Sequence, residues 1–183
     1  MMNMVSYYKW FKKGQFREVM LREGVDPHPD SLIDVDPKDS ADDLAFYAAL
    51  ADGGFTVQEQ DNDGNCLFRS ISTHGHAALR SAAINAITGP LWAQIQQYIP
   101  RTNANDTDLT RQNTYRRSME NQPGRQPTWG GNVEIAALAF ITGRPIIVHS
   151  HLQEPYVHTP TTDMIGPPIH ISYHRRSHYN SLT

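Results

Sequence analysis

The chain contains one cysteine, and the residues around it predict a sharp turn that joins an extended run to a helix. Gly64 and Asn65 stand directly before Cys66, and an apolar segment of helical character follows. Glycine gives such a turn backbone freedom, and asparagine tolerates left-handed conformations better than most residues. The thiol is therefore expected at a helix N-terminus, where backbone N–H groups and the helix dipole favour thiolate over thiol and can build an oxyanion hole.

The cysteine turn alone is also compatible with a structural residue, because a free cysteine is usually a small buried hydrophobe. A thiol nucleophile needs a base, normally histidine, and a third group that holds the imidazole ring. Among nine histidines, His178 stands out because Asn180 lies two residues further on. In an extended segment these side chains share a face, so the asparagine amide oxygen can accept a hydrogen bond from the imidazole.

Composition limits the class of protein. The 183 residues suit a single domain with a substantial core, and a net charge of -3 provides no basic field for nucleic acid. No apolar run approaches the length that spans a bilayer, and residues 1–16 lack the apolar core of a secretory signal. A lone cysteine cannot form an intrachain disulfide, which suits a reducing compartment such as the cytoplasm.

Helical spacing of apolar residues dominates the first two-thirds of the chain. An amphipathic segment at 1–24 predicts a packed helix or a docking surface, and a proline-marked linker or surface loop follows at 25–39. Further helices are expected at 40–50, 77–87, 91–99, 108–119 and 135–142. Asp108 is expected to cap the fourth of these, which carries Leu109, and Gly143 to end the last.

Short β-rich runs lie mostly late in the sequence. Residues 145–149 predict a strand, and strict alternation at 169–174 predicts another with Ile169, Ile171 and Tyr173 inward. Four prolines at 152–168 indicate a loop or a loose hairpin. Helices followed mostly by strands favour the α+β class. The spaced histidines lack a second cysteine or a carboxylate motif, so no metal site is expected.

The segment Asp-Gly-Asn-Cys-Leu-Phe-Arg at 63–69 resembles the catalytic-cysteine motif of the ovarian tumour (OTU) family of cysteine proteases. Three later segments are similar to family segments in the same order. These are Trp-Gly-Gly at 129–131 with the helix after it, the strand at 145–148, and the strand and histidine motif at 169–182. The resemblance covers residue 54 to the C-terminus.

The resemblance implies a papain-like α+β fold, with a small central sheet flanked by helices. Residues 54–183 would form this catalytic core, and residues 1–53 a helical extension that could contact ubiquitin. The implied activity is hydrolysis of isopeptide or peptide bonds after the C-terminal Gly-Gly of ubiquitin. Alternatives are a catalytically weak ubiquitin-binding module and a protease for another ubiquitin-like modifier.

Residue by residue, the resemblance makes Cys66 the nucleophile, His178 the base and Asn180 the group that orients the imidazole. Asp63 matches an aspartate of the family's active site. Its expected physical role is to shape the turn before Cys66. The Cys66 N–H is the expected oxyanion donor, helped by the amides of residues 63–65. Substrate-channel candidates are Trp129 and Tyr179.

No cofactor or metal is expected, and neither is nucleic acid binding or a membrane span. The implied partner is ubiquitin or polyubiquitin, with another ubiquitin-like modifier as the alternative. We expect a monomer in the cytoplasm, or in the host cytosol if the protein is a pathogen effector.

Overall fold

The computed structural model describes residues 41–120, 128–151, 153–161, 163–174 and 178–183. The expectations for residues 1–40 lie outside these ranges. The described helices are α1 (Ala41–Asp52), α2 (Cys66–Ile71), α3 (His76–Ile87), α4 (Trp92–Ile95), α5 (Asp108–Met119) and α6 (Asn132–Thr142), with a 3₁₀ turn at Gln96–Tyr98. The described strands are β1 (Val57–Gln58), β2 (Ile146–Ser150), β3 (Gln153–His158), β4 (Ile169–His174) and β5 (His178–Leu182).

The strands form one mixed sheet in the order β1-β5-β4-β2-β3. Strands β2 and β4 run parallel, while β1–β5, β4–β5 and β2–β3 pair antiparallel. The α+β expectation is confirmed. The last strand, β5, lies between the short β1 and the central β4, and this places the C-terminal histidine segment inside the sheet rather than at its edge.

Helices α2, α3 and α6 bury their apolar faces between one another and one face of the sheet. In α3, Ala83, Ile84 and Ile87 are buried as the helical spacing predicted. The centre of the core is fully closed to solvent at Phe68, Ile135, Leu138, Ile146, Val148 and Ile171. Each such aliphatic or aromatic side chain contributes about 1.5–3 kcal/mol through burial, so this layer fixes α2 against the sheet.

Strand β4 differs from the expected alternation because both of its faces are covered. Ile171 lies in the core as predicted, but Ser172 and His174 on the opposite face are also buried. Aromatic side chains of α1 cover His174. The alternating sequence identified the strand but not the helix that packs on its polar face.

Three local expectations need correction. Leu109 is 67% exposed and lies outside the core, whereas Arg111 on the same helix is buried. Thr107, not Asp108, caps α5, since its side chain accepts a hydrogen bond from the Thr110 N–H. Within 152–168, β3 is a regular strand despite Pro155, because an edge strand tolerates a residue without an N–H. Among the described helices, none is long and apolar enough to cross a bilayer.

Candidate active site

The cysteine turn has the predicted position, with Cys66 as the first residue of α2. Gly64 takes a positive φ of 82°, which L side chains rarely adopt, so the glycine is required for the turn. Asn65 has a φ of -107°, and the left-handed conformation expected there is absent. The single glycine is sufficient to reverse the chain before the helix.

Asp63 shapes the turn through its carboxylate. One carboxylate oxygen accepts the Asn65 backbone N–H at 3.0 Å, and the other pairs with the Arg69 guanidinium at 2.8 Å. Burial raises the pKa of Asp63, but the hydrogen bonds from Asn65 and Arg69 outweigh it and hold that pKa below its usual value. Because the Asn65 backbone N–H donates to Asp63, this N–H is not directed at the oxyanion hole as expected.

The environment of the Cys66 thiol is less favourable to the anion than the helix start suggests. Cys66 is only 2% exposed, and burial raises its pKa above the usual value, with a smaller contribution from the Asp63 carboxylate. Backbone hydrogen bonds from Tyr179, Leu67 and Cys66 itself oppose this rise without cancelling it. Burial therefore opposes the thiolate that the helix start was expected to favour.

His178 and Asn180 form the predicted pair on β5. The His178 Nε2 and Asn180 Oδ1 atoms are 3.0 Å apart. The same Oδ1 accepts the Gln60 backbone N–H at 2.9 Å, which fixes the amide with its oxygen toward the ring. An oxygen can only accept, so Nε2 carries the proton and Nδ1 is the basic nitrogen.

Strand β5 brings this pair to the thiol. The Tyr179 backbone hydrogen-bonds Cys66, so the residue that follows His178 in β5 contacts the nucleophile. The Tyr179 ring lies on the other face of β5, 5% exposed, with its centroid 4.8 Å from that of Tyr173. Tyr179 therefore contributes its backbone to the site and its ring to the core, which argues against a role in the substrate channel.

Trp129 is half-buried beside the cysteine helix, and its role as a channel wall stays a prediction. The next residue, Gly130, lies so close to α2 that a Cβ there would meet the Leu67 side chain at 2.6 Å. This close approach explains why a glycine stands at position 130.

Arg80 is a buried positioning residue that sequence analysis missed. It is 1% exposed, and its guanidinium donates to the Gly64 carbonyl at 2.9 Å and to Asn65 Oδ1 at 3.2 Å. It also donates to the carbonyls of Met119, at 2.7 Å, and Thr128. One guanidinium thus ties the cysteine turn to the segments on both sides of 121–127. The available signal was an arginine on the apolar face of α3, four residues before Ile84.

A second buried charge anchors the start of α6. Glu134 accepts hydrogen bonds from the Gly131 N–H at 2.6 Å and from the Tyr115 hydroxyl. Burial raises the pKa of Glu134, and Tyr115 also has a pKa well above its usual value because of burial and the neighbouring carboxylate. Glu134 serves as an acceptor at the N-terminus of α6.

Histidines elsewhere in the sheet do not assemble a metal centre among the described residues. His149 Nε2 and His170 Nδ1 instead lie 3.0 Å apart, with the Phe55 ring against both imidazoles. Burial lowers the pKa of each of these histidines, which suits a hydrogen-bonded neutral pair.

Residues 61–181 match the family model of the OTU-like cysteine protease. The chain belongs to this family. The matched segment begins in the cysteine turn and ends within β5, so it contains the turn, Arg80 and the His178–Asn180 pair. The expected OTU fold is confirmed.

Curated relatives carry the OTU domain as part of much longer proteins. The chain is 30% identical over 134 residues to OVARIAN TUMOR DOMAIN-containing deubiquitinating enzyme 6 of Arabidopsis thaliana, covering 70% of this chain and 24% of that protein. It is 27% identical over 146 residues to OTU domain-containing protein 5 of Homo sapiens, covering 75% of this chain and 24% of that protein. The chain therefore spans about a quarter of the length of these relatives.

Solved structures agree on the OTU fold. The OTU domain of OTUD1 superposes with a TM-score of 0.54 at 19% identity, over 76% of this chain and 98% of that chain. An OTU domain in complex with ubiquitin superposes with a TM-score of 0.50 at 20% identity, over 70% of this chain and 69% of that chain. At these identities the likeness concerns the fold alone.

Proposed function

We propose that this OTU domain is a deubiquitinase that cleaves isopeptide or peptide bonds after the C-terminal Gly-Gly of ubiquitin through a thioester on Cys66. The observation that carries the proposal is the His178–Asn180 pair, held with a defined tautomer on the strand in which the backbone of Tyr179 hydrogen-bonds Cys66. Family membership and relatives named as deubiquitinating enzymes support the choice of ubiquitin. A monomeric state and a cytoplasmic location stay predictions.

In the first step, His178 Nδ1 accepts the Cys66 proton as the sulfur attacks the carbonyl carbon of the C-terminal glycine. Since burial disfavours the thiolate, we place this proton transfer within the reaction rather than in the resting enzyme. The Cys66 N–H at the start of α2 is the donor for the oxygen that gains negative charge. Collapse of the tetrahedral intermediate breaks the C–N bond, and His178 returns the proton to the leaving lysine amine.

In the second step, water attacks the thioester while His178 Nδ1 accepts a water proton. The C–S bond breaks, the thiol regains a proton and ubiquitin leaves with a free carboxylate. Asn180 keeps its amide oxygen on Nε2 throughout, which stabilises the imidazolium that forms in both steps. Gln60 contributes to this by restraining the Asn180 side chain through its backbone N–H.

The orienting role of Asn180 predicts an order of effects. We expect His178→Ala to reduce kcat by about 10⁴-fold or more, because the only general base is lost. Asn180→Ala should reduce it by about 10–100-fold, since the β5 backbone still holds the ring near the thiol. Steady-state hydrolysis of ubiquitin with a fluorogenic C-terminal amide measures both values. Equal losses in the two variants would show that Asn180 is indispensable for ring orientation and that this ranking is wrong.

Turnover itself is tested with polyubiquitin chains of defined linkage and, in parallel, with conjugates of other ubiquitin-like modifiers. Release of monoubiquitin by the wild type, but not by His178→Ala, supports the proposal. Binding of ubiquitin without cleavage would instead indicate a binding module. Cleavage confined to another modifier would replace ubiquitin as the substrate while leaving the chemistry intact.

A further inference from the structure

Strand β4 carries a second histidine–acceptor pair, directly opposite the His178–Asn180 pair of β5. The register of β4 with β5 places His174 opposite His178 and Ser172 opposite Asn180, all four on one face. His174 Nε2 and Ser172 Oγ are 2.6 Å apart, and His178 Nε2 and Asn180 Oδ1 are 3.0 Å apart. Neighbouring strands therefore carry parallel histidine–acceptor pairs, of which the mechanism uses one.

Helix α1 closes this face over His174. The Tyr47 ring stacks on the His174 imidazole with a centroid distance of 4.7 Å and an interplanar angle of 18°. Phe46 contacts the same imidazole at 5.2 Å and 56°. His174 is 1% exposed as a result. Both aromatic residues precede residue 61, where the family match begins, so α1 lies outside the matched OTU segment.

The electrostatic surroundings of His174 depend on this cover. Burial lowers the pKa of His174 to about 4, although the Asp43 carboxylate of α1 acts in the opposite direction. His178 of β5 and His151 after β2 lower it further, and the Tyr47 phenol of α1 also faces the ring. His174 is therefore neutral at neutral pH. A charged His174 opposite His178 would make it harder for His178 to accept the Cys66 proton.

We propose that α1 is a positioning element for the catalytic histidine, in which the stacked Tyr47 ring holds His174 in place against β5. Tyr47 and His174 are positioning residues, since they act through His178 rather than on substrate. The proposal rests on the proposed function in that His178 is the general base. It also gives part of the chain before the matched OTU segment a role within the catalytic core.

The test compares Tyr47→Ala with Tyr47→Phe, which keeps the stacked ring, and with Leu44→Ala, which removes an exposed side chain from the same helix. We expect Tyr47→Ala to lower kcat about tenfold with KM changed less than about twofold, because a misplaced base affects chemistry more than binding. Tyr47→Phe and Leu44→Ala should retain wild-type kcat. All assays are made below the Tm of the variants, on folded protein.

The pH dependence of kcat/KM distinguishes a positioning residue from one that only stabilises the fold. Exposure of His174 in Tyr47→Ala raises its pKa from about 4 toward the ordinary value, so the ring gains charge as the pH falls through that interval. Because repulsion from a charged His174 makes His178 release its proton more readily, the acid limb of kcat/KM should move to lower pH than in the wild type. In a His174→Phe background, which cannot titrate, Tyr47→Ala should no longer move the limb.

The pH dependence of Cys66 alkylation by iodoacetamide tests the influence of His174 on the Cys66–His178 pair without ubiquitin. The inference can thus be judged even if the wild type does not cleave ubiquitin, which would defeat only the proposed function. Wild-type and Tyr47→Ala profiles that coincide in this assay would overturn the positioning role. A Tyr47→Ala variant with a lower Tm but unchanged kcat and acid limb would overturn it as well, by showing that the helix only stabilises the fold.

Discussion

Replacing Cys66 with alanine should abolish cleavage of ubiquitin conjugates while the protein remains folded. The loss should reach about 10⁴-fold or more in kcat, to the limit of detection, because no thioester can form. The side chain is buried but small, so its truncation should cost only about 1 kcal/mol of the free energy of unfolding. Hydrolysis of a fluorogenic ubiquitin amide and thermal unfolding measure the two effects on the same preparation.

The matched control is Ser70→Ala, which removes another small buried side chain from α2. Ser70 donates to the Leu67 carbonyl within its own helix at 2.7 Å, so its loss should have a similar effect on stability and little effect on kcat. Undiminished turnover by a folded Cys66→Ala protein would exclude the thiol mechanism.

Replacing Arg80 with alanine should produce the largest loss of stability among the substitutions considered, about 3 kcal/mol or more. The substitution leaves the carbonyls of Gly64, Met119 and Thr128 without their donor inside the protein, and each unsatisfied buried acceptor costs about 1–3 kcal/mol. Removal of the guanidinium from the face of Phe68, 4.8 Å from the ring centroid, adds a packing loss. Urea unfolding measures the change directly.

Arg80→Lys separates stability from positioning. Lysine keeps the charge, but its single ammonium cannot reproduce the planar fork that reaches three segments. We expect the folded variant to lose at least about tenfold in kcat, because the Gly64–Asn65 turn is no longer held under Cys66.

Arg111 provides the control for a buried arginine remote from the cysteine turn. Its guanidinium donates to the carbonyls of Gln96 and Ile99 and lies 5.2 Å from the Trp92 ring. Arg111→Lys should therefore reduce stability without reducing kcat. If Arg80→Lys and Arg111→Lys behave alike, with turnover unchanged in both, Arg80 stabilises the fold but does not position the turn.

Local patterns were enough to predict the elements that carry the site. The turn at Gly64, the helix that starts at Cys66 and the strand Ile169–His174 all follow from short-range spacing and are present in the structure. The His178–Asn180 contact was also predictable, because two residues on one strand face lie side by side whatever the rest of the fold does.

What the sequence did not reveal depends on contacts between distant segments. The raised pKa of Cys66 results from burial, which overrides the local effect of the helix start. Arg80 donates hydrogen bonds to carbonyl groups up to 48 residues away in the sequence. No local pattern indicates to which carbonyl groups a buried arginine donates. The stacking of Tyr47 on His174 joins α1 to β4 across most of the described chain. Such contacts have no periodicity from which they could be read.

A ubiquitin probe with a thiol-reactive C-terminal warhead tests most directly whether Cys66 attacks the carbonyl carbon of the C-terminal glycine of ubiquitin. Wild type, Cys66→Ala and Ser70→Ala are incubated with the probe and analysed by intact mass. We predict a gain of one ubiquitin in the wild type and Ser70→Ala, and none in Cys66→Ala. No adduct on folded wild type whose Cys66 reacts with iodoacetamide would contradict the account, as would an adduct that persists in Cys66→Ala.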